Sequence, residues 1–344
     1  MRKHLNTIYV TTENAWVRKD GENLVVEAEG QTLGRAPLHM LEGLVCFGRA
    51  GVSPAALAAC AEAGICVSLL DPNGRFLARV EGARSGNVLL RRSQYRLADT
   101  PERGLGIVRG IVAAKAANQR TVIQRVLRDY GETLPALACE DLTGAVSKLS
   151  DVARRALQGQ DVAVVRGVEG EAARTYFSVF THFIRAEGFS FTVRSRRPPL
   201  DPVNALLSFL YAIVGHDCRS ALESVGLDPQ VGFLHADRPG RASLALDLME
   251  EFRPVLADRL ALSLINRRQL GVKDFIMEAG GAVKLTDEAR KTLLVAYQER
   301  KKTQLIHPFL NEKVTLGLVP HIQAQLLARH LRGDMDGYPA FVWK

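Results

Sequence analysis

Gly232-Phe233-Leu234-His235, followed by Ser243-Leu244-Ala245-Leu246-Asp247-Leu248-Met249-Glu250-Glu251-Phe252-Arg253-Pro254, sets an imidazole in a loop ahead of an acid-bearing helix. At about 100° per residue, Leu244, Leu248, Met249, Phe252, Val255 and Leu256 share one face, and Asp247, Glu250 and Glu251 share the other. Ser243 reads as the N-cap, which puts Asp247 near the positive end of the helix dipole and Glu250 a turn later. Pro254 should kink or break the helix. Such a pattern more often marks a solvated acidic face, and a lone loop histidine is more often a turn residue than a ligand. An imidazole beside carboxylates is also what a metal site needs.

A distant stretch, Arg166-Gly167-Val168-Glu169-Gly170-Glu171, sets a carboxylate between glycines at the start of a long amphipathic segment, Ala172 to Ile184. The glycines allow close approach of backbone or phosphate. On its own, a Glu in a first helical turn is ordinary dipole chemistry.

Periodicity divides the chain into an α+β, two-domain arrangement. Thr7 to Val10, Ala15 to Arg18, Leu24 to Glu27, Leu44 to Phe47, Ile65 to Leu70 and Phe76 to Val80 read as strands, with turns at Asp20-Gly21 and Asn73-Gly74. One helix, capped by Ser53 with Pro54 in its first turn, ends before Gly64. Helical spacing then takes over: Ile107 to Tyr130, Leu142 to Leu157, Glu171 to Ala186, Val203 to Val225, Leu244 to Ile265, Glu288 to Leu305 and Pro320 to Leu331. The expectation is a small β domain with a helical insertion over 1–85, a hinge over 86–98, and an all-α domain over 99–344.

The pieces occur in the order Arg166-Gly167-Val168-Glu169-Gly170, Pro202-Val203-Asn204 through Tyr211, Gly232-Phe233-Leu234-His235, and Leu246-Asp247 through Arg253-Pro254. In that order and spacing the chain closely resembles the CRISPR-associated adaptation integrase, protein one of that system. The resemblance covers nearly the whole chain. It implies a metal held by Glu169, His235 and Glu250, with Asp247 a further acid at the catalytic site; some relatives carry Asp where this chain has Glu250. It implies a β domain that forms a homodimer and a helical domain that carries the chemistry; Thr7 to Val10 and Phe76 to Val80 are candidate edges for the dimer, though internal packing explains them as well. Two such dimers flank a small dimeric adaptor, CRISPR-associated protein two.

Two carboxylates and an imidazole without thiolate suit Mg²⁺ or Mn²⁺ better than zinc, and leave positions for water and phosphate oxygens. A metal so placed activates a phosphodiester for hydrolysis or for attack by a DNA 3′-OH. The resemblance makes the second the physiological reaction: insertion of short foreign DNA into a repeat array. The residues alone stop at a metal-dependent nuclease. A nuclease on branched or repair DNA without integration, and a noncatalytic DNA-binding scaffold, are the alternatives.

Composition agrees with double-stranded DNA as partner. Lys and Arg number 45 against 37 Asp and Glu, a formal charge of +8. The excess gathers at Arg91-Arg92 with Arg96, Arg194 with Arg196-Arg197, Arg267-Arg268 and Arg300-Lys301-Lys302, while Arg166 and Arg253 flank the candidate site. The clusters are expected to meet phosphates rather than bases, whereas Arg166 and Arg253 either hold a phosphate or pair with the site carboxylates, a helix salt bridge to the preceding acids being as good a reading for Arg253. Asp217, Asp237 and Glu171 read as surface or turn residues more readily than as accessory acids, and His182 and His216 have no matching partners. Five cysteines without paired zinc spacing, no apolar run of bilayer length and no signal-peptide core after Met1-Arg2-Lys3-His4 fit a cytoplasmic enzyme with no membrane partner. No phosphate-binding loop implies ATP.

Overall fold

The computed structural model describes residues 7–41, 43–72, 76–80, 82 and 88–343. The Asn73-Gly74 turn, the residues after Met1 and most of the stretch 82–86 lie outside the described residues. In chain order the strands are β1 (Thr7–Val10), β2 (Trp16–Asp20), β3 (Asn23–Ala28), β4 (Gln31–Pro37), β5 (Gly43–Phe47), β6 (Gly51–Val52), β7 (Cys66–Leu70) and β8 (Phe76–Val80). The short helix α1 (Pro54–Glu62) interrupts them.

β1, β5, β7 and β8 form one sheet in that order, parallel except at β8; the other sheet runs β4-β3-β2-β6. The Asp20-Gly21 turn is present as read, with Gly21 at φ +57° in the first turn position. The next hairpin turns through Glu29 and Gly30, both at positive φ, and leads into β4, a strand the sequence reading passed over. β4 is mostly exposed, so it carries little apolar alternation to read. Ser53 caps α1, its Oγ accepting from the Ala56 amide at 3.2 Å.

Each central strand of the parallel sheet is buried on both faces. Leu44 and Cys46 of β5 enter one apolar cluster with Val17, Leu24 and Ile65, whereas Val45 and Phe47 point into a second, larger cluster made by the rest of the chain. Phe47 stacks on Phe209 with ring centroids 5.9 Å apart. Burial drives the Cys46 thiol up to about 12, so it behaves as core.

The helices are α2 (Val88–Ala98), α3 (Pro101–Tyr130), α4 (Ala136–Gln158), α5 (Val162–Ser178), α6 (Pro202–Ser224), α7 (Ser243–Glu250), α8 (Arg259–Asn266), α9 (Asp287–Lys301) and α10 (Val319–Arg332). The hinge read over 86–98 is a helix from residue 88: Leu90 and Gln94 are buried along α2, and Gln94 is tied to the loop at 228–231. The all-α reading of 99–344 is corrected by two hairpins, β9 (Phe275–Met277) with β10 (Val283–Leu285) and β11 (Gln304–Ile306) with β12 (Lys313–Thr315). The second of these takes up the end of the helix expected to reach Leu305. α3 begins six residues before its apolar stripe announces it, because Gly104 and Gly106 dilute the pattern there. The long helix read from Leu244 to Ile265 is α7, a π-helical segment at Arg253–Asp258 and α8, so the ladder loosens where Pro254 removes a donor.

α6 meets the parallel sheet at His216, whose Nδ1 lies 3.4 Å from Ser68 Oγ of β7. Burial, opposed by Asp217 and reinforced by Arg79, Lys301 and Arg219, lowers this imidazole to about 4. As pH falls from the unfolded value near 6.5 towards 4, the unfolded chain takes up the proton first, so this contribution to stability is lost over that window. Urea denaturation at pH 7.5 and pH 5 should show the wild type losing more stability than His216→Gln; equal losses would refute the assignment.

Candidate active site

Asp247 lies in the second turn of α7, fully buried. Its Oδ2 accepts from the amides of Phe233 and Leu234 at 2.6 and 2.9 Å. Its Oδ1 accepts from the His235 amide at 2.9 Å and pairs with His235 Nδ1 at 2.7 Å. One carboxylate thus holds three successive amides and one side of the imidazole, so Nδ1 donates and Nε2 faces the other way as the acceptor. Ser243 is no N-cap; its hydroxyl donates to the Ala236 carbonyl at 3.1 Å and pulls the far end of the same loop onto α7.

The loop tolerates this only with glycine at 232. A Cβ there would stand 2.8 Å from Asp247 Oδ2 and 2.8 Å from the Ser243 carbonyl carbon. Gly104 of α3 plays a matching part, since a Cβ there would press on the Phe233 ring at 3.0 Å. From α5, Arg166 donates through Nε and Nη2 to the Leu234 carbonyl at 3.1 and 2.6 Å. From α2, Gln94 donates to the carbonyls of Asp228 and Val231 at 2.7 and 2.8 Å and accepts from the Asp228 amide at 2.9 Å. Beside His235 a half-open cavity of about 340 Å³ is lined by Pro101, Gly104, Arg166, Phe233 and Asp237 among others.

Glu169 sits in the third turn of α5, because Asp161 caps that helix from well upstream, accepting from the Val164 amide at 2.8 Å. The expected position at a helix start is therefore corrected; Gly167 and Gly170 are interior helix positions whose low propensity hid the true beginning. A Cβ at Gly167 would meet no atom within 4 Å, which leaves that part of α5 open beside Glu169.

Glu250 closes α7 and is 1% exposed. The solvated acidic face is absent: Asp247, Glu250 and Glu251 are all buried. Glu250 Oε1 lies 2.7 Å from Arg253 Nη1 and 3.8 Å from His235 Nε2, and Oε2 lies 2.6 Å from Lys115 Nζ. Lys115 also pairs with Glu169, so its ammonium stands between the two glutamates. Burial alone would raise the Glu250 carboxyl, but Arg253, Lys115 and His235 outweigh it and hold the group well below the usual range. Arg253 rests over the Tyr211 ring at 5.1 Å, and Tyr211 donates to Asp258 at 2.7 Å.

Glu169, His235 and Glu250 do not form a closed set: His235 approaches Glu250 directly, whereas Glu169 is joined to Glu250 through Lys115. Among the described residues, no group of three or more His, Cys, Asp or Glu side chains is drawn together closely enough to hold a metal ion. Lys115, which the sequence reading missed, fills the gap. Its signal was a lysine inside the buried stripe of α3, between Ile111 and Val122, where an unpaired charge is untenable. Glu251 was likewise missed: it accepts from the Phe341 amide and the Tyr338 hydroxyl, each at 2.6 Å, and fixes the C-terminal segment against α7.

The remaining candidates separate clearly. Arg92, Arg196, Arg197, Arg267 and Arg268 are exposed and Arg91 half-buried, whereas Arg194 is committed to Asn204 and Ser208 at 2.8 and 3.1 Å. Lys301 is buried against Asp217 at 2.8 Å, which splits the basic run at 300–302. Glu171 pairs with Arg155 and His182 with Asp141, both on the surface. Among the described residues no helix is long and apolar enough to cross a membrane.

The family model described as CRISPR associated protein Cas1 matches residues 8–299. The chain is 59% identical to CRISPR-associated endonuclease Cas1 2 of Rhodospirillum rubrum over 347 residues, and 51% identical to CRISPR-associated endonuclease Cas1 1 of Chlorobaculum tepidum over 346, each match spanning all of both chains. A chain of a solved Cas6-RT-Cas1–Cas2 complex superposes with a TM-score of 0.81 and 25% identity, covering 99% of this chain and 36% of that one. The chain belongs to the CRISPR-associated Cas1 family, and it is an endonuclease and integrase of CRISPR adaptation.

Replacing Asp247 by Ala strands four donors, three amides and an imidazole N–H, in a buried site. The variant should lose about 3–5 kcal/mol in chemical denaturation. A loss under about 1 kcal/mol would show that the loop does not depend on this carboxylate.

Proposed function

We propose that Glu169, His235 and Glu250 hold one divalent cation, Mg²⁺ or Mn²⁺, and that the protein cuts DNA and joins 3′ ends at that point. The observation that carries this reading is the cation already gathered there: two carboxylates from α5 and α7 share the Lys115 ammonium, 3.8 Å from Glu250 to the free face of His235. The donor set fits the group. It is oxygen with one imidazole and no thiolate, and the buried Glu250 Oε2 faces only the Lys115 ammonium, at 2.6 Å. When bound, the ion supplies Lewis-acid activation of a phosphodiester and stabilises the departing 3′ oxygen.

The protein's own residues do the rest. Asp247 fixes the His235 tautomer so that Nε2 carries a lone pair towards Glu250. Arg253 and Lys115 keep Glu250 ionised. Arg166 braces the loop from α5, and Asp247 acts through His235 rather than on the substrate. In strand transfer a DNA 3′-OH forms a new P–O bond as the bond to the resident 3′ oxygen breaks, and the hydroxyl proton ends on that departing oxygen. Bond number is conserved, so no external energy source is needed.

Double-stranded DNA, both the fragment and the repeat, is the proposed partner, with Arg91, Arg92, Arg196, Arg197, Arg267 and Arg268 meeting phosphates. The similar chain in a Cas1–Cas2 complex supports CRISPR-associated protein two as a further partner. β1 and β8 are the outer strands of the parallel sheet and offer edges for a homodimer. We divide the labour between a β domain to residue 85 and a catalytic domain from residue 99, with α2 joining them. The reaction belongs in the cytoplasm, with the repeat array.

His235→Ala and Glu169→Ala should each abolish Mn²⁺-dependent cleavage of duplex DNA and its joining to a repeat-bearing supercoiled plasmid, while DNA affinity stays within about threefold of wild type. Near-wild-type activity in both variants would overturn the assignment.

A further inference from the structure

Lys115 is the most buried cation of the functional site among the described residues, and the reading above gives it no place once a metal ion has bound. Lys115 Nζ belongs to a side chain 4% exposed, and both of its partners are carboxylates assigned to the metal. α3 delivers it there by position: Ile111, Val112, Asn118, Gln119 and Val122 form the buried face, and Lys115 lies in the middle of that stripe. Asn118, one turn on, anchors this part of α3 by donating to the carbonyls of Glu251 and Phe341 at 2.8 and 2.9 Å. The Lys115 backbone is therefore fixed, and only its flexible four-carbon stem can move.

The local charges balance. Three carboxylates, Glu169, Glu250 and Asp247, stand with three fixed cations, Lys115, Arg253 and Arg166. A divalent ion entering this set needs the carboxylate oxygens that the ammonium occupies. Two cations cannot share them at ion-pair distance, because like charges a few ångströms apart repel strongly in a site of low dielectric.

We propose that Lys115 is an internal counter-ion for the metal site, displaced from Glu169 and Glu250 when the divalent cation binds. This rests on the metal reading above and deepens it. The lysine holds two buried carboxylates together at low metal concentration, and metal occupancy is set by competition within the protein as well as by the ligands. The same competition accounts for Glu169 and Glu250 being joined through an ammonium rather than closing with His235 into one set.

The test is Mn²⁺ binding to the full chain without DNA, measured by titration calorimetry, for the wild type, Lys115→Met, Lys115→Gln, Lys115→Arg, Glu169→Gln and His235→Ala. Lys115→Met and Lys115→Gln should bind Mn²⁺ at least about tenfold more tightly than wild type, and Lys115→Arg should not. Their melting temperatures in chelator should fall, and should recover more steeply with Mn²⁺ than the wild type's. In the unaltered protein, acylation of Lys115 read by mass spectrometry should rise when Mn²⁺ is added, which needs no variant to fold. Unchanged or weaker Mn²⁺ affinity in both neutral variants, or unchanged Lys115 acylation, overturns the counter-ion role while Glu169→Gln and His235→Ala still lose Mn²⁺. If those two variants bind Mn²⁺ as the wild type does, the metal reading itself fails.

Discussion

The buried carboxylate of Asp247 is the constraint on which the site depends. A fully desolvated acid is untenable unless its oxygens are satisfied, and here the amides of Phe233, Leu234 and His235 and the His235 ring do this together. Four donors from three consecutive residues define the loop conformation almost completely. Everything around it follows from that geometry: glycine at 232 because no side chain fits against Asp247, glycine at 104 because Phe233 needs the surface of α3, and Arg166 and Gln94 because the loop's carbonyls must also be met.

This arrangement explains why three elements far apart in sequence converge. α5 supplies Glu169 and braces the loop with Arg166, one turn apart on the same helix. α7 supplies Glu250 one turn beyond Asp247, so the residue that orients the histidine and the residue it approaches share one rigid frame. α3 passes beneath both and inserts Lys115. Placing these groups on helices rather than on loops fixes them to within a rotamer, and the only loop-borne member, His235, is held by α7 through its own backbone.

The fold was legible where a residue type forces a conformation. Gly21 at positive φ made the first hairpin, Ser53 and Pro54 began α1, and the short apolar runs of β5 and β7 announced strands. It was illegible where burial is decided by distant partners. β4 carries almost no apolar pattern because it is exposed, and α2 looked like a hinge because its defining contacts, Gln94 to the 228–231 loop, are polar and lie more than a hundred residues away. The acids of α7 could have been a solvated face by spacing alone; only the packing of α3 and the loop against them removes water. Lys115 needed a rule about burial rather than a motif, since a lysine on the apolar side of a long helix demands acidic partners that its neighbours in sequence do not supply.

The central claim is that Glu169, His235 and Glu250 are the ligands of one divalent ion. A crystal soaked in Mn²⁺ and measured near the manganese absorption edge gives the most direct answer. The account predicts one anomalous peak among the two glutamates and His235 Nε2, at about 2.1–2.4 Å from each, with the Lys115 ammonium moved away from both carboxylates. A well-diffracting soaked crystal with no peak there, or with manganese bound elsewhere while the ammonium stays between the glutamates, would contradict it.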